Sequence, residues 1–141
     1  KIYLDTSSLI KLYHFEEGTD LLDELFKENT ITGILLSELA RVEYDSAIWK
    51  KGRTKELTQE EVESLISSFE TDYSKFDFIK LSSEIVDFSK LLIAKYGVEG
   101  LRTLDAIQLA TVLKKKNEFE YFITADKLLK NIAYKEGVSV L

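Results

Sequence analysis

Along the whole of this chain, stretches with strand character alternate with stretches of helical period, and no other feature limits the fold as strongly. Lys1 to Asp5, Thr30 to Leu35, Phe76 to Leu81, Tyr121 to Thr124 and Val138 to Leu141 read as short strands. Thr6-Ser7-Ser8 can cap a helix over Leu9 to His14, and Leu21, Leu22, Leu25 and Phe26 mark one side of a short helix after Gly18. Ser37 is expected to open a helix that runs to about Lys51 and closes at Gly52, while Thr58-Gln59-Glu60-Glu61 has the spacing of a capping box. Beyond that box Val62, Leu65, Ile66, Phe69 and Tyr73 recur at helical steps, so this helix buries one stripe. Ser82 or Ser83 can cap a helix that ends at Gly97, and Thr103 one over Leu104 to Lys116. A last helix is expected over Ala125 to Glu136, with Gly137 as its left-handed stop. Strands that alternate with helices predict an α/β fold, a three-layer α/β/α arrangement around a short, mostly parallel sheet. In such sheets ligands bind beyond the carboxyl ends of the strands, and functional side chains are to be sought there.

A length of 141 residues predicts one domain spanning residues 1–141, and 45% apolar residues are enough to fill its core. No apolar run approaches the roughly 20 residues that span a bilayer, so no membrane association is expected. Lys1 leads straight into Ile2-Tyr3-Leu4, which reads as a strand and not as a secretory leader. The absence of cysteine excludes disulfides and thiolate metal sites, and a single histidine, His14, leaves zinc short of its usual ligands. A cytoplasmic location is expected. The net charge of -6 argues against a protein that coats nucleic acid regardless of sequence. A site built of carboxylates itself makes a chain more acidic, however, and bound divalent cations would reverse the local sign. The clusters Lys50-Lys51-Gly52-Arg53-Thr54-Lys55 and Lys114-Lys115-Lys116 read first as solvated helix ends. His14 reads as a helix-end residue, and Trp49 as core or interface.

Four carboxylates stand out against this frame. Asp5 ends the first strand and Asp126 follows the strand closing at Thr124, so both emerge at the same edge of a parallel sheet. Asp105 falls in the first turn of its helix, where any acid is stabilised by free backbone N–H groups. Its neighbours Leu104, Ala106, Ile107, Leu109 and Ala110 nevertheless make that helix apolar nearly all round, which removes Asp105 from bulk water. Glu43 sits within the stripe Leu36, Leu39, Ala40 and Ala47, so it is expected to point inward, whereas Glu38 and Asp45 lie far from it around the helix axis. Such a carboxylate must be neutral, paired or bound to a cation. The plainest pairing would be an ion pair with a base such as Arg102. Four inward acids from separated segments would repel one another unless a cation neutralised them. All-oxygen ligation selects hard ions such as Mg2+ or Mn2+, which can activate water for phosphodiester cleavage without a histidine or cysteine nucleophile.

The segments Tyr3-Leu4-Asp5-Thr6-Ser7-Ser8-Leu9-Ile10-Lys11-Leu12-Tyr13, Ser37-Glu38-Leu39-Ala40-Arg41-Val42-Glu43, Leu101-Arg102-Thr103-Leu104-Asp105-Ala106 and Phe122-Ile123-Thr124-Ala125-Asp126-Lys127-Leu128-Leu129 resemble, in order and spacing, the PIN-domain superfamily. Within it the resemblance is to the VapC-type toxins of toxin–antitoxin pairs, and it covers essentially the whole chain. It implies an acidic quartet of Asp5, Glu43, Asp105 and Asp126 around Mg2+ or Mn2+, with Asp5 central and Asp126 the loosest. Thr6 or Ser7 and Thr124 match hydroxyl positions that orient the site or touch phosphate. The implied activity is a metal-dependent endoribonuclease restrained by a cognate antitoxin, with a homodimer as the expected assembly. The region from Thr54 to Tyr73 has no clear counterpart. A reading from a different class is a catalytically silent PIN-like module that binds protein or RNA. Transfer through an aspartyl nucleophile at Asp5 fits poorly, because Ser7 stands where a second acid would be expected.

Overall fold

The sheet at the centre of the computed structural model, which describes residues 1–141, is made from stretches of only three or four residues. They are β1 (Ile2–Leu4), β2 (Ile34–Ser37), β3 (Phe76–Ile79) and β4 (Tyr121–Ile123), in the order β3-β2-β1-β4, with every neighbouring pair parallel. Parallel neighbours need crossover connections, and the helices supply them: α1 (Thr6–Ile10), α2 (Thr19–Glu28), α3 (Ala40–Arg53), α4 (Gln59–Thr71), α5 (Ser83–Tyr96), α6 (Thr103–Lys114) and α7 (Lys127–Lys135).

Side chains alternate across a strand, and β1 shows what that does here. Ile2 and Leu4 enter one apolar cluster, with Leu9, Leu36, Tyr44, Ile48, Val62 and Phe69 of the α1–α4 side. Tyr3 points the opposite way, into a second cluster with Leu35, Ile85, Leu92, Leu109, Phe122 and Ile132 of the α5–α7 side. Helices thus cover both faces, and the expected three-layer α/β/α fold is the one observed.

The local signals at helix ends hold in part. Thr58 and Glu61 form both bonds of the capping box, Ser82 accepts from the Ile85 amide, and Gly137 takes a left-handed φ of 85° after α7. Other boundaries differ from the sequence expectation. The second strand lies at Ile34–Ser37 and not at Thr30 to Leu35, because its place is set by pairing Ile34 with Ile2 across β1. Ser37 therefore belongs to the strand, and α3 opens only at Ala40. Gly52 lies inside α3, where a Cβ would come within 3.0 Å of Val62 Cγ2, so its bare backbone lets α4 pack close. The stop is provided instead by Lys55, whose φ is 65°, while the Glu56 and Leu57 amides close back onto the Lys51 carbonyl. The helix after Asp5 ends at Ile10 and continues as turns, and Asp5, not the Thr6-Ser7-Ser8 hydroxyls, caps it. Thr103 is already helical in α6, and Asp126 caps an α7 that begins at Lys127. The expected last strand reduces to a single parallel bridge between Phe122 and Val140.

Candidate active site

The carboxyl edge of the sheet is closed by hydroxyls and amides that converge on Asp5. Its backbone is still extended, with φ -80° and ψ 174°, so its side chain falls on the same side as Tyr3. Oδ1 accepts from the Ser8 amide at 2.9 Å and from Ser7 Oγ at 2.7 Å, while Oδ2 accepts from Thr124 Oγ1. Ser7 Oγ in turn accepts from the Ala125 amide at 3.2 Å, and Thr124 Oγ1 from the Asp126 amide at 3.0 Å. The α1 turn and the end of β4 are thereby stitched together around one carboxylate that is 5% exposed.

The other three acids reach the same rim from different helices. Glu43, on the first turn of α3, accepts from Thr6 Oγ1 at 3.0 Å. Asp126 caps α7 through the Leu129 amide at 2.9 Å. Asp105, on the first turn of α6, accepts no hydrogen bond from the protein and is held only by its helix. Burial pushes the Asp5 carboxyl above its usual range, and the hydrogen bonds from Thr124, Ser7 and Ser8 offset this only in part. Burial also raises Glu43, against the pull of Thr6, and the charges of Asp5 and Asp105 add to the rise. Asp105 is raised by burial, then by Asp126 and Asp5, with Arg102 acting in the opposite direction. Glu43 and Asp105 thus each carry the repulsion of neighbouring acids at this edge.

They do not close into a ready-made ligand set: no three acids stand close enough together to hold a metal ion. Nor does any lysine or arginine neutralise them, since no ion pair of the protein involves Asp5, Glu43, Asp105 or Asp126. The pairing of Glu43 with Arg102 is thus not made; Arg102 stands near Asp105 instead. The donor set is all oxygen, free of ion pairs and partly desolvated, which fits a hard divalent cation and not a soft one.

Several partners of the site carried no signal in the sequence. The Ser8 and Ala125 amides are backbone groups, which any residue would supply. Tyr3 was within reach of the strand's two-residue alternation, as it lies on the Asp5 side of β1. Its hydroxyl donates to Gln108 Oε1 at 2.9 Å inside the second core. Burial, followed by the Asp5 and Glu43 charges, pushes the Tyr3 phenol well above its ordinary value, so it keeps its proton. Of the remaining residues singled out, Trp49 is 42% exposed, and His14 lies 3.7 Å from Glu56, remote from the acids. A groove of about 910 Å3 runs beside Asp5's support, lined by Ser8, Lys11, Leu22, Thr124, Ala125 and Lys127 among others.

With this geometry in place, the comparison with known proteins is direct. The PIN domain family matches residues 2–135, and the chain belongs to that family. No curated protein matches it. Among solved structures it is similar to a toxin–antitoxin complex from Klebsiella pneumoniae, at 21% identity and a TM-score of 0.62, over 89% of this chain and 87% of that one. It is similar to FitAcB from Neisseria gonorrhoeae at 14% identity and a TM-score of 0.72, over 100% and 96% of the two chains. VapC20 from Mycobacterium tuberculosis, described as a sarcin–ricin loop cleaving toxin, shares 11% identity and a TM-score of 0.69, over 94% and 95%. At such identities the likeness is one of fold.

Proposed function

We propose that the chain is a Mg2+- or Mn2+-dependent endoribonuclease and the toxin of a toxin–antitoxin pair. The observation that carries this reading is the set of four acids at one sheet edge, of which Asp5, Glu43 and Asp105 are raised by burial, Glu43 and Asp105 also by neighbouring charge, and none of which is ion-paired with a base of the protein. Asp5, Glu43 and Asp105 are the candidate metal ligands, with Asp126 as a fourth, looser one. The ion, when bound, supplies charge that polarises the phosphodiester and lowers the pKa of the attacking water. The chain's own residues orient and position. Thr6 fixes one oxygen of Glu43, Ser7 and Thr124 fix Asp5, and each leaves lone pairs of its carboxylate free.

Arg102 and Lys127 form no ion pair and stand at the starts of the helices associated with Asp105 and Asp126, where phosphate can meet them. Similarity to a toxin–antitoxin complex and to a toxin described as cleaving the sarcin–ricin loop supports an RNA substrate and a cognate antitoxin as partners; the homodimer is the assembly the family resemblance implies. The groove beside Thr124 offers an antitoxin segment a way in.

The test is cleavage of labelled RNA by purified protein in Mg2+ or Mn2+ and in chelator, beside Asp5→Asn and Asp105→Asn. Metal-dependent cleavage that both variants lose is the expected result. RNA binding in every sample with cleavage in none would overturn it in favour of a silent binding module, a reading that the open spacing of the acids also allows.

A further inference from the structure

The acid edge is built on two facing elements whose charged residues repel, and a neutral pair one layer below ties the same two elements together. Tyr3 precedes Asp5 by two residues on β1 and projects on the same side. Gln108 follows Asp105 by one turn on α6 and shares its face. The Tyr3 hydroxyl donates to Gln108 Oε1 at 2.9 Å, with Tyr3 0% and Gln108 5% exposed. The β1–α6 gap therefore has a hydrogen-bonded lower rung and a mutually repelling upper rung.

This pair is out of keeping with its surroundings. It lies among Leu35, Ala106, Leu109, Phe119 and Phe122 of the apolar cluster on that side of the sheet. A buried hydrogen bond adds little net stability over two apolar groups of the same shape. Packing alone does not call for a phenol and an amide here, because the Tyr3 ring already stacks against Phe119 and Phe122 at 5.5 and 5.6 Å through its carbons. Asp105 makes no hydrogen bond of its own, so beyond its rotamer it is the placement of α6 that sets where its carboxylate can stand relative to Asp5.

We propose that Tyr3 and Gln108 are positioning residues: their hydrogen bond sets the register of α6 against β1 and so limits how far the Asp105 carboxylate can stand from Asp5. The proposal rests on the metal-binding reading of the acid edge. It assigns no chemical step to either residue, and both stay out of contact with substrate.

The test compares Tyr3→Phe, Gln108→Leu and the double variant with wild type. Thermal unfolding in chelator and Mn2+ dissociation constants are measured, both independent of nuclease activity. Each single variant leaves a buried polar group unpaired and should lower Tm. The double variant removes both polar groups and should recover part of that loss, since the Ser37 backbone that also meets the Tyr3 hydroxyl loses its partner in either case, yet still bind Mn2+ about tenfold more weakly than wild type, the size usual for losing an outer support of a metal site. A double variant that regains both Tm and Mn2+ affinity shows that the pair is structural only, and overturns the proposal. Wild type that binds no Mn2+ overturns the reading of the acid edge itself, and the positioning role falls with it.

Discussion

Thr124 is the hydroxyl on which the acid edge hangs, and its removal has a calculable consequence. In Thr124→Val the shape is kept, so no cavity opens, but two bonds disappear. One is the charge-assisted bond to Asp5 Oδ2, the only protein donor that oxygen has, and the other is the bond accepted from the Asp126 amide at the entrance of α7. Losing a bond to a charged group costs about 1.5–3 kcal/mol, and a neutral one about 0.5–1.5 kcal/mol. Thr124 is only 6% exposed, so water replaces neither bond in full. A loss of about 3 kcal/mol follows. At about 2.1 cal/mol/K per residue, 141 residues give an unfolding entropy of roughly 0.3 kcal/mol/K, so Tm in chelator should fall by about 10 °C. Thr124→Ser keeps the hydroxyl and loses one methyl, and should stay within about 1.5 kcal/mol of wild type. Urea and thermal unfolding of both variants decide the matter. If Thr124→Val matches wild type, or if serine is the worse substitution, the hydroxyl does not support Asp5 as described.

Other perturbations follow from the same contacts. Asp5, Glu43 and Asp105 are all raised, so above the usual carboxylate range the folded chain holds protons that the unfolded chain has released. Metal-free stability must then fall as pH rises through the raised values; urea unfolding in chelator should show this as pH rises above the ordinary carboxylate range, with a shallower slope in Asp105→Asn, and equal slopes would refute it. Glu16 receives Lys11 at 2.9 Å and Lys51 at 3.3 Å, all three largely covered, so Glu16→Gln leaves Lys11 only the Ser7 carbonyl and Lys51 only Glu56, and should cost about 1–2 kcal/mol in urea unfolding. Thr58→Ala breaks the capping box of α4 and should cost about 1 kcal/mol by the same assay, with no change in Mn2+ affinity.

What the sequence revealed was whatever is encoded locally. The capping box at Thr58 and Glu61, the Ser82 cap and the left-handed stop at Gly137 depend on residues within one turn, and each is where its pattern placed it. Asp5 and Asp126 were legible because a parallel sheet sends strand ends to one edge, and Glu43 because it interrupts an apolar stripe. Boundaries decided across the sheet were not legible. The β-rich Thr30-Ile31-Thr32 lost to Ile34–Ser37 because β2 must match β1 in register, and that displaced the start of α3. The cap of α1 was misplaced for a related reason. Asp5 is at once strand end, cap and acid, and its carboxylate outcompetes the hydroxyls that follow it. Likewise, nothing in the composition shows that Arg102 settles near Asp105 and leaves Glu43 to the Thr6 hydroxyl.

The division of lone pairs among the acids explains how an edge that is stable as a fold can also be open to a cation. Each carboxylate oxygen can accept about two hydrogen bonds. Asp5 Oδ1 is filled by Ser7 and Ser8, while its Oδ2 holds only Thr124. Glu43 and Asp126 each commit one oxygen, to Thr6 and to the Leu129 amide, and keep the other. The committed oxygens orient these three side chains, and the spare ones are what an ion can take without breaking a cap or a turn. Asp105 commits neither oxygen, so a hard cation meets three preset donors and one held only by the placement of α6. If the edge binds an ion as proposed, that binding should be most sensitive to whatever fixes that helix, and least sensitive to further hydrogen bonds on Asp5.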